Sequence, residues 1–253
     1  MTEFQILGRL FEWISFLWMA CPRPLSGTLL ELLFGCMVAR TGHVTSAISA
    51  IRTARSWDTY YKAIQTGKWS WTALVRQWLR LLLSLFPAGL IEFVLDDFIT
   101  CRSSRKAPVV GRHHDHCKRP NRPTFLLGQL RVSLAVICRH RTRAAALPLL
   151  YRLMPVSGNT NKLRAAKTLV RVLLKWLPRG FPVILLMDAW YMKGPLLLPL
   201  TERGVTIIGQ VRKDTMLYLD PLPRKPGTRG RQPKFGPRIT RESITAQIGR
   251  AHV

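Results

Sequence analysis

Two short apolar runs, each followed at once by aspartate, most constrain how this chain can fold. Residues 90–95 run into Asp96 and Asp97, and residues 182–187 run into Asp188. Continuous apolar runs of this length are typical of strands buried on both faces. The sequence therefore predicts two core strands that end in carboxylates.

The sequence around these runs predicts the remaining elements. Apolar residues recur every three or four positions through residues 1–86, which predicts helices. Residues 162–177 predict an amphipathic helix, and residues 205–211 predict a further strand. Strands that alternate with helices after a helical segment indicate an α/β fold, in which a mixed, layered core follows a small all-α domain.

The composition indicates a polyanionic partner. The 253 residues include 39 Lys and Arg against 13 Asp and Glu, a net charge of +26. Nucleic acid is the first candidate partner and an anionic membrane surface the second. Arg9 and Glu12 interrupt the apolar N-terminal stretch, so we expect no membrane span there. Five cysteines without a CxxC pair indicate a reducing cytoplasm.

Acidic residues are rare in this chain, so their positions are informative. Carboxylates at the ends of adjacent strands can converge on Mg²⁺ or Mn²⁺, which prefer hard oxygen ligands. The competing interpretation is that Asp96, Asp97 and Asp188 only terminate strands and cap the turns that follow. Spacing alone leaves both interpretations open.

The order of the motifs resembles that of DDE-type insertion-sequence transposases. Leu95-Asp96-Asp97-Phe98, followed by a basic, His-containing stretch at 111–116 and by Gly128-Gln129, resembles their first catalytic block. Residues 186–193, Leu-Met-Asp-Ala-Trp-Tyr-Met-Lys, resemble the second block, and residues 208–214 the strand after it. Phe98 stands where similar proteins usually have Thr.

The resemblance implies an RNase H-like mixed sheet with flanking helices and a two-metal mechanism that uses Mg²⁺ or Mn²⁺. Asp97 or Asp96 would be the first acidic ligand, with Asp97 preferred, and Asp188 the second. The third acid, a Glu on a later helix, has no match: Glu202 precedes a core strand and Glu242 lies in a basic stretch. We therefore expect a C-terminally truncated, inactive fragment.

The predicted boundaries divide the chain into four segments. Residues 1–86 form a helical DNA-binding domain and residues 87–220 an incomplete RNase H-like catalytic core. Residues 221–246 form a basic, Pro/Gly-rich linker or insertion. Residues 247–253 resemble translated adapter DNA and are predicted to be a non-native tail.

The resemblance also implies the partner. The chain would cut and join double-stranded DNA, both the terminal repeats of the element and its target. It would be a cytoplasmic, nucleoid-associated bacterial protein that does not bind membranes, and the resemblance suggests a homodimer. The alternative is a non-catalytic nucleic-acid-binding protein or a decayed transposase relic. The basic residues predicted to contact DNA are Arg40, Arg52, Arg55, Lys193, Arg212 and Lys213.

Overall fold

A computed structural model gives the architecture of most of the chain. It describes residues 3–40, 42–87, 89–115, 120–121, 123–155, 160–212, 215–223, 230–231 and 233–240. The chain divides into two compact units, Met1–Ile208 and Gly209–Val253. No helix among these described ranges is both long enough and apolar enough to cross a membrane.

The first part of the larger unit is helical, as the periodicity predicts. Ser70 begins the last of these helices by accepting a hydrogen bond from the amide of Ala73 at 3.2 Å. Gly35 lets two helices approach closely, because a Cβ there would lie 2.3 Å from the carbonyl oxygen of Ala47. The helices are α1 (Glu3–Trp18), α2 (Arg23–Ala39), α3 (Val44–Ala50), α4 (Trp57–Gln65) and α5 (Trp71–Leu85).

A six-stranded mixed sheet follows the helices. The elements from residue 91 to residue 209 are β1 (Ile91–Cys101), β2 (Gly111–His114), β3 (Phe125–His140), β4 (Arg143–Leu153), α6 (Thr160–Leu174), β5 (Val183–Met187), α7 (Gly194–Thr201) and β6 (Val205–Gly209). The strand order of the sheet is β2-β3-β1-β5-β6, and β4 also pairs with β3. β1 runs antiparallel to β3 and parallel to β5.

The sheet is RNase H-like, which confirms the predicted fold class. Three consecutive long strands, β1, β3 and β4, form an antiparallel set, and β5 then returns through α6 to lie parallel to β1. Alternate residues of β1, including Phe93 and Leu95, are buried against Leu185 of β5 and against α6. This packing holds β1 at the centre of the unit, so the sheet fixes the position of any side chain that β1 carries.

Several parts of the sheet were not predicted. β4 is absent from the sequence-based interpretation, and β1 does not end at Asp96 and Asp97 but continues for four residues to Cys101. The prediction that these acids terminate a strand is therefore wrong. The additional residues of β1 stay in the ladder because they pair with β3, as Thr100 does with Gln129.

The smaller unit contains a two-stranded antiparallel sheet within its described residues. β7 (Leu217–Tyr218) pairs with β8 (Arg238–Ile239). The rings of Tyr218 and Phe235 stack with their centroids 5.0 Å apart. β8 lies inside the stretch that the composition assigns to a linker or insertion.

Candidate active site

Strand β1 directs Asp96 and Asp97 to opposite faces of the sheet. Successive residues of a strand point to opposite sides, and Asp97 shares the side of buried Phe93 and Leu95. Asp97 lies opposite Val132 of β3, whereas Asp96 lies opposite Ser133. Adjacent in sequence, the two acids therefore occupy different environments.

Both carboxylate oxygens of Asp97 are hydrogen-bonded. Lys162 at the start of α6 donates from Nζ to Oδ2 at 2.9 Å, and the Tyr191 hydroxyl donates to Oδ1 at 2.9 Å. Tyr191 is fully buried. Its burial, followed by the charge of Asp97, raises its pKa well above the ordinary range, so the hydroxyl remains a donor.

The pairing of β1 with β5 brings Asp188 next to Asp96. Leu95 pairs with Met187, so the residue after each is the next position of two parallel strands. Asp188 is exposed, and its carboxylate forms no hydrogen bond or ion pair with another described residue. β5 thus delivers Asp188 directly after its last residue, as the sequence predicts.

The charges of Asp97 and Asp188 act on Asp96. Partial burial raises the pKa of Asp96, and the charges of Asp97 and Asp188 raise it further. A hydrogen bond from the Asp97 amide to Oδ1 of Asp96, at 2.8 Å, acts in the opposite direction. Mutual repulsion of this kind would be relieved by a cation placed between the carboxylates.

Trp190 lies beside these acids and contacts two lysines. Nζ of Lys162 lies 5.0 Å from the centre of its ring and Nζ of Lys193 lies 4.1 Å from it. Cations at these distances are attracted to the negative face of an indole. The ring therefore contacts both the ammonium group that binds Asp97 and a second ammonium group.

The carboxylates are the type of ligand that a hard divalent cation prefers, but too few of them come together among the described residues to form a complete site. Carboxylates with nearby solvent are the ligands that Mg²⁺ and Mn²⁺ prefer. However, the described residues contain no group of three or more His, Cys, Asp or Glu side chains arranged to hold a metal ion. Glu202 follows α7, and Glu242 lies outside the described residues.

The chain matches a protein-family model over most of its length. The model of the DDE superfamily endonuclease family matches residues 27–251. The chain belongs to the DDE superfamily endonucleases. No curated protein matches the sequence.

Two solved transposases are similar to this DDE superfamily chain at low identity. A cryo-EM structure of the piggyBac transposase synaptic complex with hairpin DNA is 16% identical, with a TM-score of 0.33, over 80% of this chain and 42% of that one. A Drosophila P element transposase strand transfer complex is 12% identical, with a TM-score of 0.21, over 64% of this chain and 43% of that one. The chain thus spans less than half the length of either protein.

The basic residues predicted to contact DNA in this DDE superfamily chain are dispersed. Arg40 is exposed and ends α2 with a positive φ of 53°, and Arg52 is exposed between α3 and α4. Arg55 forms an ion pair with Glu31 at 3.3 Å. Arg212 is exposed in the smaller unit, and Lys213 lies outside the described residues. Among the described residues of this set in the larger unit, Lys193 is the one that contacts Trp190, beside the candidate acids.

Three residues of the site were missed by sequence reasoning. Tyr191 and Trp190 stand within the second motif, so their proximity to Asp188 was a usable signal. Lys162 gave no such signal, because a lysine off the apolar face of a helix usually faces solvent. Its contact with Asp97 depends on how α6 packs across the sheet.

Proposed function

We propose that this chain is a DNA transposase of the DDE type that cuts element-end DNA and joins it to a target by metal-dependent phosphodiester chemistry. The observation that carries the proposal is the pairing of β1 with β5, which sets Asp188 beside Asp96. The family match and the strongly basic composition support it. The order of the sequence motifs, which resembles that of insertion-sequence transposases, supports transposition as the specific activity within this family.

Asp188 and one acid of β1 would hold Mg²⁺ or Mn²⁺. Asp97 is the β1 acid preferred from the sequence, and Asp96 is the alternative, which shares the sheet face of Asp188. A pair of such ions activates a water or a 3′ hydroxyl and stabilises the leaving oxygen of a phosphodiester. Neighbouring side chains and strand β5 would position these acids. Lys162 and Tyr191 fix both oxygens of Asp97, and β5 presents Asp188 to solvent.

Double-stranded DNA is the proposed partner. A net charge of +26 favours a polyanion, and phosphate contacts by Lys and Arg give binding that weakens as salt rises. The predicted contacts of Arg40, Arg52, Arg55, Lys193, Arg212 and Lys213 remain proposals. So do the homodimer and the nucleoid-associated cytoplasmic location.

Metal binding by single variants tests the proposed ligands. Mn²⁺ affinity would be measured by calorimetry on the full chain and on Asp96→Asn, Asp97→Asn and Asp188→Asn. Asp58→Asn, which neutralises an acid in the first turn of α4, is the matched control. We expect Asp188→Asn and one of the β1 variants to weaken binding at least tenfold, while the control keeps it. Equal Mn²⁺ affinity in all five proteins would overturn the metal site.

A non-catalytic nucleic-acid-binding protein is the second candidate function. The environment of Asp97 supports this candidate. Both of its carboxylate oxygens accept hydrogen bonds, from Lys162 and Tyr191, as those of a purely structural aspartate would. In that case Asp97→Asn would lower stability without changing Mn²⁺ affinity, and DNA binding would persist in every variant. Absence of DNA binding at low salt would eliminate both candidates.

A further inference from the structure

Two arginines near the candidate acids share one neutral acceptor. Arg102 donates from Nε to Oε1 of Gln129 at 3.0 Å, and Arg131 donates from Nη2 to the same oxygen at 3.2 Å. Gln129 is buried, and its own Nε2 donates to the carbonyl oxygen of Pro108 at 2.7 Å. That last bond fixes the orientation of the amide, so its oxygen faces both guanidinium groups.

The charge of this pair is not neutralised within the described part of the chain. The ion pairs among the described residues include neither Arg102 nor Arg131. Nε of Arg131 is buried and has no hydrogen-bond acceptor there. Two like charges held at one neutral oxygen repel each other, and an anion that accepts from both would remove the repulsion.

Aromatic rings flank Arg131 on the same face of the sheet. Its guanidinium carbon lies 4.8 Å from the centre of the Tyr151 ring, and Phe98 lies directly opposite it on β1. Tyr151 is 54% exposed and Phe98 is 46% exposed. Exposed rings interleaved with cations are typical of surfaces that bind nucleic-acid strands.

The register of β1 and β3 places this cluster next to the candidate acids. Asp96 lies opposite Ser133, and Phe98 lies opposite Arg131, so all four side chains point to one face. Asp96 and Phe98 are two residues apart, a distance of about 7 Å along a strand. A phosphate held by Arg131 would therefore lie on the same face of the sheet as Asp96.

We propose that Arg102 and Arg131, oriented by Gln129, form a binding site for phosphate groups of a DNA strand that crosses the sheet face bearing Asp96. The proposal rests on the proposed function for its partner, DNA. The proposed phosphate site lies on the sheet that carries the candidate acids. It is separate from the basic residues predicted to contact DNA in the helical segment. The ring of Tyr151 contacts the guanidinium of Arg131, and Phe98 lies opposite Arg131 on β1.

The salt dependence of DNA binding tests the site. A labelled short DNA duplex would be titrated with the full chain, with Arg102→Gln/Arg131→Gln and with the control Arg139→Gln. Arg139 lies on the same strand and face but already pairs with Glu92 at 2.6 Å. Each phosphate contact contributes about 0.9 to the slope of log affinity against log salt concentration. We expect the slope of the double variant to fall by about 1.8 and that of the control to stay unchanged.

The outcomes separate this site from the function it rests on. If the unsubstituted chain binds DNA and the double variant keeps its slope, the phosphate site is overturned and the proposed function stands. If the unsubstituted chain binds no DNA, both fall. Should the double variant fail to fold, Arg102→Gln alone carries the test, because Arg102 is exposed, and its slope should fall by about 0.9.

Discussion

The hydroxyl of buried Tyr191 donates to Oδ1 of Asp97 at 2.9 Å. This bond joins a residue beyond the end of β5 to the middle of β1. Lys162 holds the other oxygen of the same carboxylate. The orientation of Asp97 is therefore set by two partners on separate elements, neither of them on its own strand.

Tyr191→Phe keeps the ring and removes this bond. Hydrogen bonds to charged groups contribute about 1.5–3 kcal/mol, so the free energy of unfolding should fall by about that amount near neutral pH. Urea unfolding, monitored by circular dichroism, measures the difference. A loss below about 0.5 kcal/mol would show that Tyr191 does not anchor Asp97.

The same pair predicts a pH dependence. Burial and the Asp97 charge raise the pKa of Tyr191 above its ordinary value of 10.0. Because the unfolded chain ionises first, the stabilisation is complete below about pH 10 and declines as pH rises further. The stability gap between the native chain and Tyr191→Phe should therefore narrow above that pH. Tyr60, whose pKa is also raised, is common to both proteins and cancels in this comparison.

Lys162→Met should strengthen Mn²⁺ binding. The ammonium lies 2.9 Å from Oδ2 of Asp97, and a metal ion must compete with it for that oxygen. Two charges in contact near a protein surface interact by about 4 kcal/mol, and after screening we expect a gain in affinity of about tenfold. Lys193→Met is the control, since Lys193 also contacts Trp190 but does not bond to Asp97. Weaker Mn²⁺ binding by Lys162→Met would contradict the competition.

Asp96→Asn should stabilise the metal-free protein slightly at neutral pH. Partial burial and the charges of Asp97 and Asp188 raise the pKa of Asp96 in the folded state. An acid with a raised folded pKa favours folding at low pH, and that contribution is lost as pH rises through its folded pKa. The variant should thus gain a few tenths of a kcal/mol at about pH 7 and nothing at about pH 3. Thermal unfolding at both values measures this, and an equal gain at low pH would refute the electrostatic cause.

Leu185→Ala should destabilise the sheet that positions Asp188. Leu185 is fully buried in the middle of β5, and truncating such a leucine costs about 2–5 kcal/mol. Leu198→Ala removes the same atoms from a side chain that is 64% exposed, so we expect a change below about 0.5 kcal/mol. Denaturant unfolding of the two variants gives the comparison. A similar cost for both would place β5 outside the core.

The order of elements could be predicted because most strands and helices carry a clear apolar period. Asp188 was placed correctly, since β5 is short, apolar and followed at once by the acid. The extent of β1 could not be predicted, because two adjacent aspartates in a strand look like its end. Only pairing with β3, 27 or more residues further along the chain, keeps residues 98–101 in the ladder. β4 was missed because most of its residues are exposed, so alternating burial leaves little trace in its sequence.

The position of Asp188 at the end of a strand could be predicted, but the partners of the candidate acids could not. Lys162 and Tyr191 reach Asp97 from 65 and 94 positions further along the chain. The apolar period of an element predicts which of its faces is buried, but it does not predict which distant element packs against that face. The sharing of Gln129 by Arg102 and Arg131 likewise depends on strand register.

The parallel ladder between β1 and β5 has a consequence for how sequences of this family can change. Asp96 and Asp188 directly follow Leu95 and Met187, which pair in the parallel ladder. The backbone hydrogen bonds of that ladder keep adjacent strands about 4.8 Å apart and so set the distance between the two acids. Exchanging one apolar side chain for another in either strand leaves that distance intact. Inserting a single residue before either acid would move it to the opposite side of the sheet. An exchange of core residues here therefore costs stability but keeps the position of the acids, whereas a change in the length of either strand would move them.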